Sequence, residues 1–214
     1  MKGLLWGILL IIIVGLGGFF YRNALENPTQ PVACPLDAKL CPDGTSVART
    51  GNSCTFAPCP PPNVSLDSVG ISFAVPDGFD TTKIPGGAIA AYDTPADAST
   101  TSSAGIVIRR YAIEASSTAL ATMQKTAIGN PSGLPAGAAQ FSSTVLGDHR
   151  FTVVSIERFE GVVDTAYYLA RNADVLRFDA IDRNVMNWTD QNLDVSTLPA
   201  NQALQKMLST LQSD

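Results

Sequence analysis

The most constraining feature of this sequence is a series of four strand-like runs separated by very short connections. The runs occupy residues 140–146, 150–159, 162–171 and 175–181, and two or three residues separate each run from the next. Strands joined this closely must pair antiparallel, because a parallel connection needs about a dozen residues or more. The second half of the chain is therefore predicted to form an antiparallel meander.

Alternating apolar and polar residues predict further strands upstream, and helical spacing predicts two helices. The strands are predicted at 69–75, 88–92 and 105–113, and the helices at 116–128 and 197–211. Leu204, Met207, Leu208 and Leu211 form an apolar stripe that is expected to pack across the sheet. The prediction is an α+β fold in which an antiparallel β-sheet of about six to seven strands is covered by two helices.

The opening strand Gly70-Ile71-Ser72-Phe73-Ala74-Val75-Pro76 and the terminal helix at 204–211 resemble the PsbP/Mog1-like fold. In that fold a strand of this kind leads into a bend, and a terminal helix closes the chain. The resemblance implies a domain that binds partners or serves as an accessory subunit rather than one that catalyses a reaction.

An uncharged run of eighteen residues, 3–20, follows Met1 and Lys2. A helix over this run would be roughly 27 Å long, which is close to the hydrocarbon thickness of a bilayer. The sequence predicts one N-terminal transmembrane helix within residues 1–22, with the membrane as a partner through residues 3–20. Lys2 before the run favours an extracytoplasmic location, periplasmic or cell-surface, for the remaining chain. A cleaved signal peptide and a lipid-modified Cys34 are the alternatives.

All four cysteines, Cys34, Cys41, Cys54 and Cys59, lie in one short Pro/Gly-rich segment. An even number of cysteines in an extracytoplasmic segment predicts two disulfides, for which three pairings are possible. Zinc is the alternative, although its ligand pairs are usually closer in sequence than these cysteines. The chain is thus divided into an anchor at 1–22, a disulfide-stapled stalk at 23–63 and a domain at 64–214.

This segment contains Cys41-Pro42-Asp43-Gly44-Thr45 and, further along, Asn52-Ser53-Cys54. These residues resemble the central region of Kazal-type modules. A Kazal-like module would imply protease inhibition through an exposed loop. The other interpretation is a stapled spacer, which the prolines at 58 and 60–62 favour because such a run forms a stiff rod.

The densest polar cluster lies between residues 178 and 194 and supplies the candidate binding residues. They are Asp179, Asp182, Trp188, Asp190, Asn192 and Asp194. The order of residues 190–194 copies the opening of a calcium loop, but Val195 and Asn201 occupy positions where that loop requires Gly and Glu. No metal or cofactor is therefore predicted. Weak calcium binding by this loop stays an alternative, and the other interpretation is that the Asp and Asn side chains cap their own backbone.

Charge and composition exclude several functions. The net charge of −5 leaves no basic excess for phosphate backbones, so no nucleic-acid partner is expected. His149 is the only histidine, the domain contains no cysteine, and no phosphate-binding loop motif occurs, so no catalytic residue is predicted. Arginines on the strands predict a ladder of exposed cross-strand ion pairs, with an arginine-lined anion pocket as the alternative.

These observations together predict a membrane-tethered, non-enzymatic binding or accessory module with an envelope protein as partner. Two other functions remain open. One is an extracytoplasmic hydrolase that uses Asp179, Asp182 or Asp190, and it requires two carboxylates to converge in a pocket. The other is protease inhibition through the Cys-rich segment.

Overall fold

The computed structural model describes residues 2–26, 33–42, 45–95, 103–129 and 132–213. The helices are α1 (Lys2–Glu26), α2 (Ala119–Thr126) and α3 (Pro199–Ser209), and short 3-10 helices lie at Asp67–Val69, Ala138–Gln140 and Val195–Thr197. The strands are β1 (Ala38–Leu40), β2 (Ser46–Thr50), β3 (Thr55–Phe56), β4 (Val64–Leu66), β5 (Ile71–Phe73), β6 (Asp80–Thr81), β7 (Ala88–Asp93), β8 (Ser103–Ala112), β9 (Phe141–Leu146), β10 (His149–Phe159), β11 (Val162–Ala170), β12 (Asp174–Arg183) and β13 (Gln212–Ser213).

The N-terminal apolar run is helical, but the prediction of a transmembrane helix is wrong. Within the ranges described above, no helix combines the length and the apolar character needed to cross a membrane. The length of an uncharged run does not by itself establish a membrane span. Five residues of helix α1 are glycines, which add no apolar side chain, and the helix continues beyond the run through Arg22 to Glu26.

The chain divides into two compact units. The first comprises Met1–Lys39 and Ser46–Pro58, and the second comprises Leu40–Thr45 and Cys59–Asp214. Each unit contains one disulfide: Cys34 pairs with Cys54 in the first, and Cys41 pairs with Cys59 in the second. The predicted pair of disulfides is therefore present, and one of the three possible pairings is selected. Asp43 and Gly44 of the Kazal-like stretch lie outside the described residues.

A local network orders the first unit. The Arg49 guanidinium donates from Nε and Nη2 to the two carboxylate oxygens of Asp37, at 2.7 and 3.0 Å. The same guanidinium lies 4.1 Å from the centroid of the Phe56 ring. These hydrogen bonds hold the pKa of Asp37 below its ordinary value. Among the described residues of this unit no apolar side chain is fully buried, so the cross-link and the Arg49 network hold it together.

A seven-stranded antiparallel sheet, in the order β6-β7-β8-β12-β11-β10-β9, forms the centre of the second unit. Strands β9 to β12 are the meander expected from the short connections. Strand β8 then pairs with β12 over ten residues, so the two long strands β8 and β12 lie side by side in the middle of the sheet.

One face of this sheet forms the main hydrophobic core. Alternate residues of β8 and β12, including Ile106, Ile108 and Phe178, are fully buried against α3. Leu204 and Leu208 of the predicted helical stripe are also fully buried there. Because side chains alternate along a strand, the neighbouring residues of β8 and β12 project from the opposite face.

Helix α2 covers part of this opposite face and forms a second, smaller cluster. Met123 and Ala127 pack there against Val154, Ala166 and Tyr168 of the sheet. The cap of α2 is Thr118, whose hydroxyl accepts a hydrogen bond from the Ala121 N–H at 3.2 Å. The helix is only eight residues long, so it leaves a large part of this face uncovered.

The predicted single sheet of six to seven strands with two helices is also corrected. Thirteen strands in three sheets are present in the described part of the chain, together with three α-helices. The additional strands are two to five residues long, too short for a reliable period-two pattern. The predicted strand at 69–75 is shorter because Gly70, at a φ of 60°, ends a 3-10 helix just before Ile71.

Candidate functional site

An ion cluster occupies the middle of the sheet face that α2 only partly covers. The register places Arg109 of β8 directly opposite Arg177 of β12. Like charges at directly opposed positions repel each other, so this pair needs a compensating group. Asp179 lies two residues beyond Arg177 on the same face and supplies it.

Asp179 joins the two arginines. One carboxylate oxygen accepts a hydrogen bond from Arg109 Nη1, and the other accepts one from Arg177 Nε at 2.5 Å. The Asp179 side chain is 0% exposed and that of Arg177 is 6% exposed. The Arg177–Asp179 ion pair is therefore buried, whereas the Arg109 side chain is 22% exposed. Charge-assisted hydrogen bonds fix the orientation of both guanidinium groups.

The C-terminal end of α2 also holds the Arg177 guanidinium in place. Arg177 Nη1 donates to the carbonyl oxygen of Thr126, the last residue of the helix. Carbonyl groups at the C-terminus of a helix carry partial negative charge and favour a neighbouring cation. The Arg177 guanidinium also lies 5.8 Å from the centroid of the Tyr168 ring, and burial raises the pKa of that phenol to about 12.

Two further acids adjoin the cluster, and both lack hydrogen-bond partners on one oxygen. Glu157 of β10 and Asp164 of β11 are directly opposed across their strand pair and are more than nine-tenths buried. Glu157 Oε1 accepts a hydrogen bond from the Ser132 N–H at 3.0 Å. Glu157 Oε2 and Asp164 Oδ1 are buried without a hydrogen-bond partner among the described residues.

A cleft of about 570 Å³ lies above this cluster. Its lining includes four cationic side chains, those of Arg109, Lys125, Arg177 and Arg183, and one acidic side chain, that of Asp164. Tyr111, Thr126, Ile128, Gly129, Val162 and Ile181 complete the wall. The cations come from β8, α2 and β12, so three separate elements bring them together.

Three of these cations retain unused hydrogen-bond donors. Arg109 donates from one nitrogen to Asp179, Arg183 Nη1 donates to Asp93 at 3.3 Å, and Lys125 Nζ donates to Glu114 at 3.1 Å. Within the described ranges their other side-chain N–H groups make no hydrogen bond to protein. The cleft therefore presents several N–H donors to a ligand.

A second cleft, of about 660 Å³, is lined by Glu157, Arg158 and apolar side chains such as Leu134 and Phe159. Arg158 donates from its two terminal nitrogens to the backbone carbonyls of Asp190 and Leu193, at 2.9 and 3.4 Å. Its charge is thus used to hold the loop after β12. For this reason the arginine-lined cleft is the stronger candidate for ligand recognition.

Two of the sequence-predicted candidates, Asp179 and Asp182, lie on opposite faces of β12. Asp179 belongs to the ion cluster, whereas Asp182 Oδ1 accepts a hydrogen bond from the Ala200 N–H at 2.7 Å, at the start of α3. Burial raises the pKa of Asp182, and the backbone N–H groups of Ala200 and Asn201 oppose that rise. The structure therefore does not bring these two carboxylates into one pocket.

The other candidates lie in the loop between β12 and α3. Asp190 Oδ1 accepts from the Asn192 N–H at 2.9 Å, and Asp194 Oδ1 accepts from the Ser196 N–H at 3.0 Å. The bonds to Ser196 hold the pKa of Asp194 below its ordinary value. Trp188 is half-buried. In the described part of the chain no group of three or more His, Cys, Asp or Glu side chains is arranged to hold a metal ion.

Sequence reasoning placed the arginines on strands but treated their ion pairs as exposed. Arg177 and Asp179 are in fact buried, as are Glu157 and Asp164. A signal for this arrangement exists in the sequence. The charged residues at 177 and 179 interrupt the apolar strand between Val175 and Ile181, on the same face as both.

The chain has a distant likeness to a solved structure. No protein-family model matches the chain, and no curated protein matches it. The chain is similar to the solution structure of cyanobacterial PsbP (CyanoP) from Synechocystis sp. PCC 6803, at 12% sequence identity and a TM-score of 0.46. The likeness covers 71% of this chain and 91% of that chain. At this TM-score the likeness carries no argument about the fold, and the PsbP-like and Kazal-like resemblances stay predictions.

Proposed function

We propose that this chain is a non-enzymatic binding or accessory module of an extracytoplasmic compartment. Its binding site is the cleft above the ion cluster, and the group it recognises is an oxyanion, such as a carboxylate or a phosphate. The oxyanion belongs either to a small molecule or to an envelope protein partner.

The observation that carries this proposal is the set of unused N–H donors on Arg109, Lys125 and Arg183, which all line one cleft. Arginine recognises carboxylate and phosphate oxygens through paired N–H donors, and such charge-assisted bonds are about twice as strong as neutral ones. The acids that pair with these cations each accept from only one side-chain N–H group, so further acceptors can be bound without breaking the existing ion pairs.

The buried part of the cluster supports the same function. Asp179 and the α2 terminus hold Arg177 in place, and Asp179 also holds Arg109. Side chains that are already fixed lose little conformational entropy when a ligand binds, which favours affinity. Arg109, which the buried Asp179 holds on its strand, is therefore suited to recognition.

The disulfides support the proposed compartment. Both cross-links lie within the Pro/Gly-rich segment, and disulfides persist in oxidising environments such as the periplasm or the cell surface. Small cross-linked units of this kind are uncommon in a reducing cytosol, where thiols are kept free.

Calorimetric titration of the full chain with succinate, inorganic phosphate and sulfate tests the binding site. At least one of these probes is expected to bind to the wild-type protein. Arg183→Gln removes a donor from the cleft and is expected to weaken binding by about tenfold, since a hydrogen bond to a charged group contributes about 1.5 kcal/mol or more.

Arg150→Gln is the matched control. Arg150 is an exposed arginine of β10 outside the cleft lining, and its Nη1 donates to Ser143 at 3.3 Å. The control variant should bind the probes as the wild type does. Equal loss in both variants would mean that general surface charge, and not the cleft, attracts the anion. The absence of binding by all three probes to the wild type would refute the oxyanion site.

A hydrolase that uses Asp179, Asp182 or Asp190 is a weaker candidate, because these carboxylates do not converge. Asp179 is fully buried and bonded to two arginines, Asp182 faces α3, and Asp190 is bonded within its own loop. Protease inhibition by the Cys-rich segment remains a prediction, and titration of common serine proteases with the full chain tests it.

A further inference from the structure

Asp164 is the acidic side chain in the lining of the arginine-lined cleft. Its residue is 7% exposed, and its Oδ1 atom is buried with no hydrogen-bond partner in the described part of the chain. The nearest cation to its Oδ2 atom is Arg177 Nη2, at 3.9 Å, which is too far for a hydrogen bond. A buried carboxylate without hydrogen-bond donors is strongly disfavoured.

Charged groups from four elements act on Asp164 or line its cleft. Arg109 faces it from β8, Arg177 and Asp179 from β12, and Glu157 from β10. From α2, Lys125 reaches into the same cleft. The two arginines favour the ionised carboxylate, but Asp179 already accepts hydrogen bonds from both of them.

The balance of these effects favours the neutral acid. Burial raises the pKa of Asp164 well above its ordinary value, and the negative charge of Asp179 raises it further. Arg177 and Arg109 lower the pKa, though not enough to reverse the shift. A neutral carboxylic acid has an O–H group that can donate a hydrogen bond, whereas a carboxylate can only accept.

We infer that Asp164 in its protonated form donates a hydrogen bond to the bound oxyanion, so that binding in the cleft is coupled to proton uptake. This inference rests on the proposed oxyanion site. The Asp164 O–H points its hydrogen to a ligand oxygen while Arg109, Arg183 and Lys125 donate to the others. Where Asp164 is ionised in the empty cleft, the proton comes from solvent and stays on the Asp164 carboxyl group in the complex.

The coupling has a defined direction. A negative ligand beside Asp164 raises the pKa of that carboxyl group further, so the complex holds its proton to higher pH than the empty cleft does. Affinity should therefore fall as pH rises through the interval between the two pKa values. Within that interval the loss is up to about tenfold per pH unit, because one proton is involved.

Sulfate is the appropriate probe, because its own charge does not change between mildly acidic and mildly alkaline pH. Calorimetric titrations of the full chain with sulfate between about pH 5 and pH 9, in two buffers of different ionisation enthalpy, report both affinity and protons taken up. The wild type is expected to bind more weakly as pH rises and to take up as much as one proton per sulfate. A titration with succinate above neutral pH shows whether the cleft binds carboxylates more tightly than sulfate.

Asp164→Asn separates the inference from the proposed function. The asparagine amide retains an N–H donor at every pH, so this variant should bind sulfate with little pH dependence and more tightly than the wild type at alkaline pH. His149 is the only histidine of the chain and does not line the cleft, so His149→Gln is a control that should keep the wild-type pH profile.

The outcomes are distinguishable. If sulfate binds to the wild type without any pH dependence or proton uptake, the role of Asp164 is refuted and the oxyanion site stands. An Asp164→Asn profile that matches the wild type also refutes it. If no anion binds at any pH, the proposed function itself fails. The proton-uptake measurement uses the wild type alone, so it decides the question even if the variant does not fold.

Discussion

Replacing Asp179 by asparagine removes the negative charge that compensates two directly opposed arginines. The Asp179 side chain is 0% exposed, and each of its oxygens accepts a hydrogen bond from a guanidinium group. Removal of one partner from a buried ion pair costs about 3–5 kcal/mol of unfolding free energy, because the remaining charge has no compensation. In Asp179→Asn both Arg109 and Arg177 lose their bonded carboxylate.

One compensation moves the expected loss to the lower end of that range. The negative charge of Asp179 raises the pKa of Asp164, so its removal lets Asp164 ionise more readily beside Arg177. We therefore expect Asp179→Asn to lose about 3 kcal/mol, which corresponds to a fall in melting temperature of roughly 6–12 °C for a protein of this size.

Asp182→Asn is the matched control, since both residues lie on β12 and both are almost fully buried. Asp182 accepts a hydrogen bond from a backbone N–H at the start of α3, and an asparagine oxygen can accept the same bond. The lost charge near a helix N-terminus should cost only about 0.3–1 kcal/mol. Urea denaturation of the full chain at neutral pH, followed by circular dichroism, measures both. Equal losses in the two variants, or a loss below about 1 kcal/mol in Asp179→Asn, would refute the reasoning.

Three further predictions concern stability. Replacing Cys41 and Cys59 together by serine opens a loop with a sequence separation of 18 and should cost about 3 kcal/mol by urea denaturation, whereas no change would show that the cross-link is dispensable. Hydrogen bonds from two arginines lower the pKa of Asp174, so its contribution to stability is present above the unfolded pKa of about 3.9 and is lost as pH falls through the folded value. The stability difference between wild type and Asp174→Asn should therefore shrink on acidification, and a constant difference would contradict this. Gly147→Ala should lose about 2–3 kcal/mol in thermal melts, since its φ is 56° and a Cβ would lie 2.5 Å from a backbone carbonyl oxygen of α3. Gly161→Ala, with a φ of 80° but its nearest atom at 3.6 Å, should lose only about 1 kcal/mol, and equal losses would show that the close contact has no effect.

The elements that sequence predicted well share a strong local pattern. The run predicted at 162–171 is the strand Val162–Ala170, and the run predicted at 150–159 lies within His149–Phe159. Period-two alternation and turns of two or three residues leave few other arrangements for such segments. The apolar stripe with Leu204 and Leu208 likewise identified the helix that covers the main core.

The elements that sequence missed depend on contacts between distant residues. Strand β13 is two residues long and exists because it pairs with β5, about 140 positions earlier. The N-terminal run was interpreted from its uncharged length alone, and that interpretation of a membrane-spanning helix was wrong. No local sequence pattern predicts the pairing of β13 or the outcome for the N-terminal run.

The candidate site could be anticipated only in part. Asp179 was selected from the sequence, and it is the residue on which the ion cluster is centred. Its selection rested on the density of polar residues after residue 178, which also selected loop residues that bond to their own backbone. Arg109 and Asp164 could not be selected in this way, because their proximity arises from the pairing of strands far apart in sequence.

The most direct test of the central claim is a map of where an oxyanion binds on the full chain. Backbone amide resonances are followed by nuclear magnetic resonance during a titration with sulfate. We predict that the largest changes occur around residues 109, 164, 177 and 183, which line the cleft. Changes confined to the loop at residues 186–194, or spread evenly over the surface, would contradict the assignment of the binding site to this cleft.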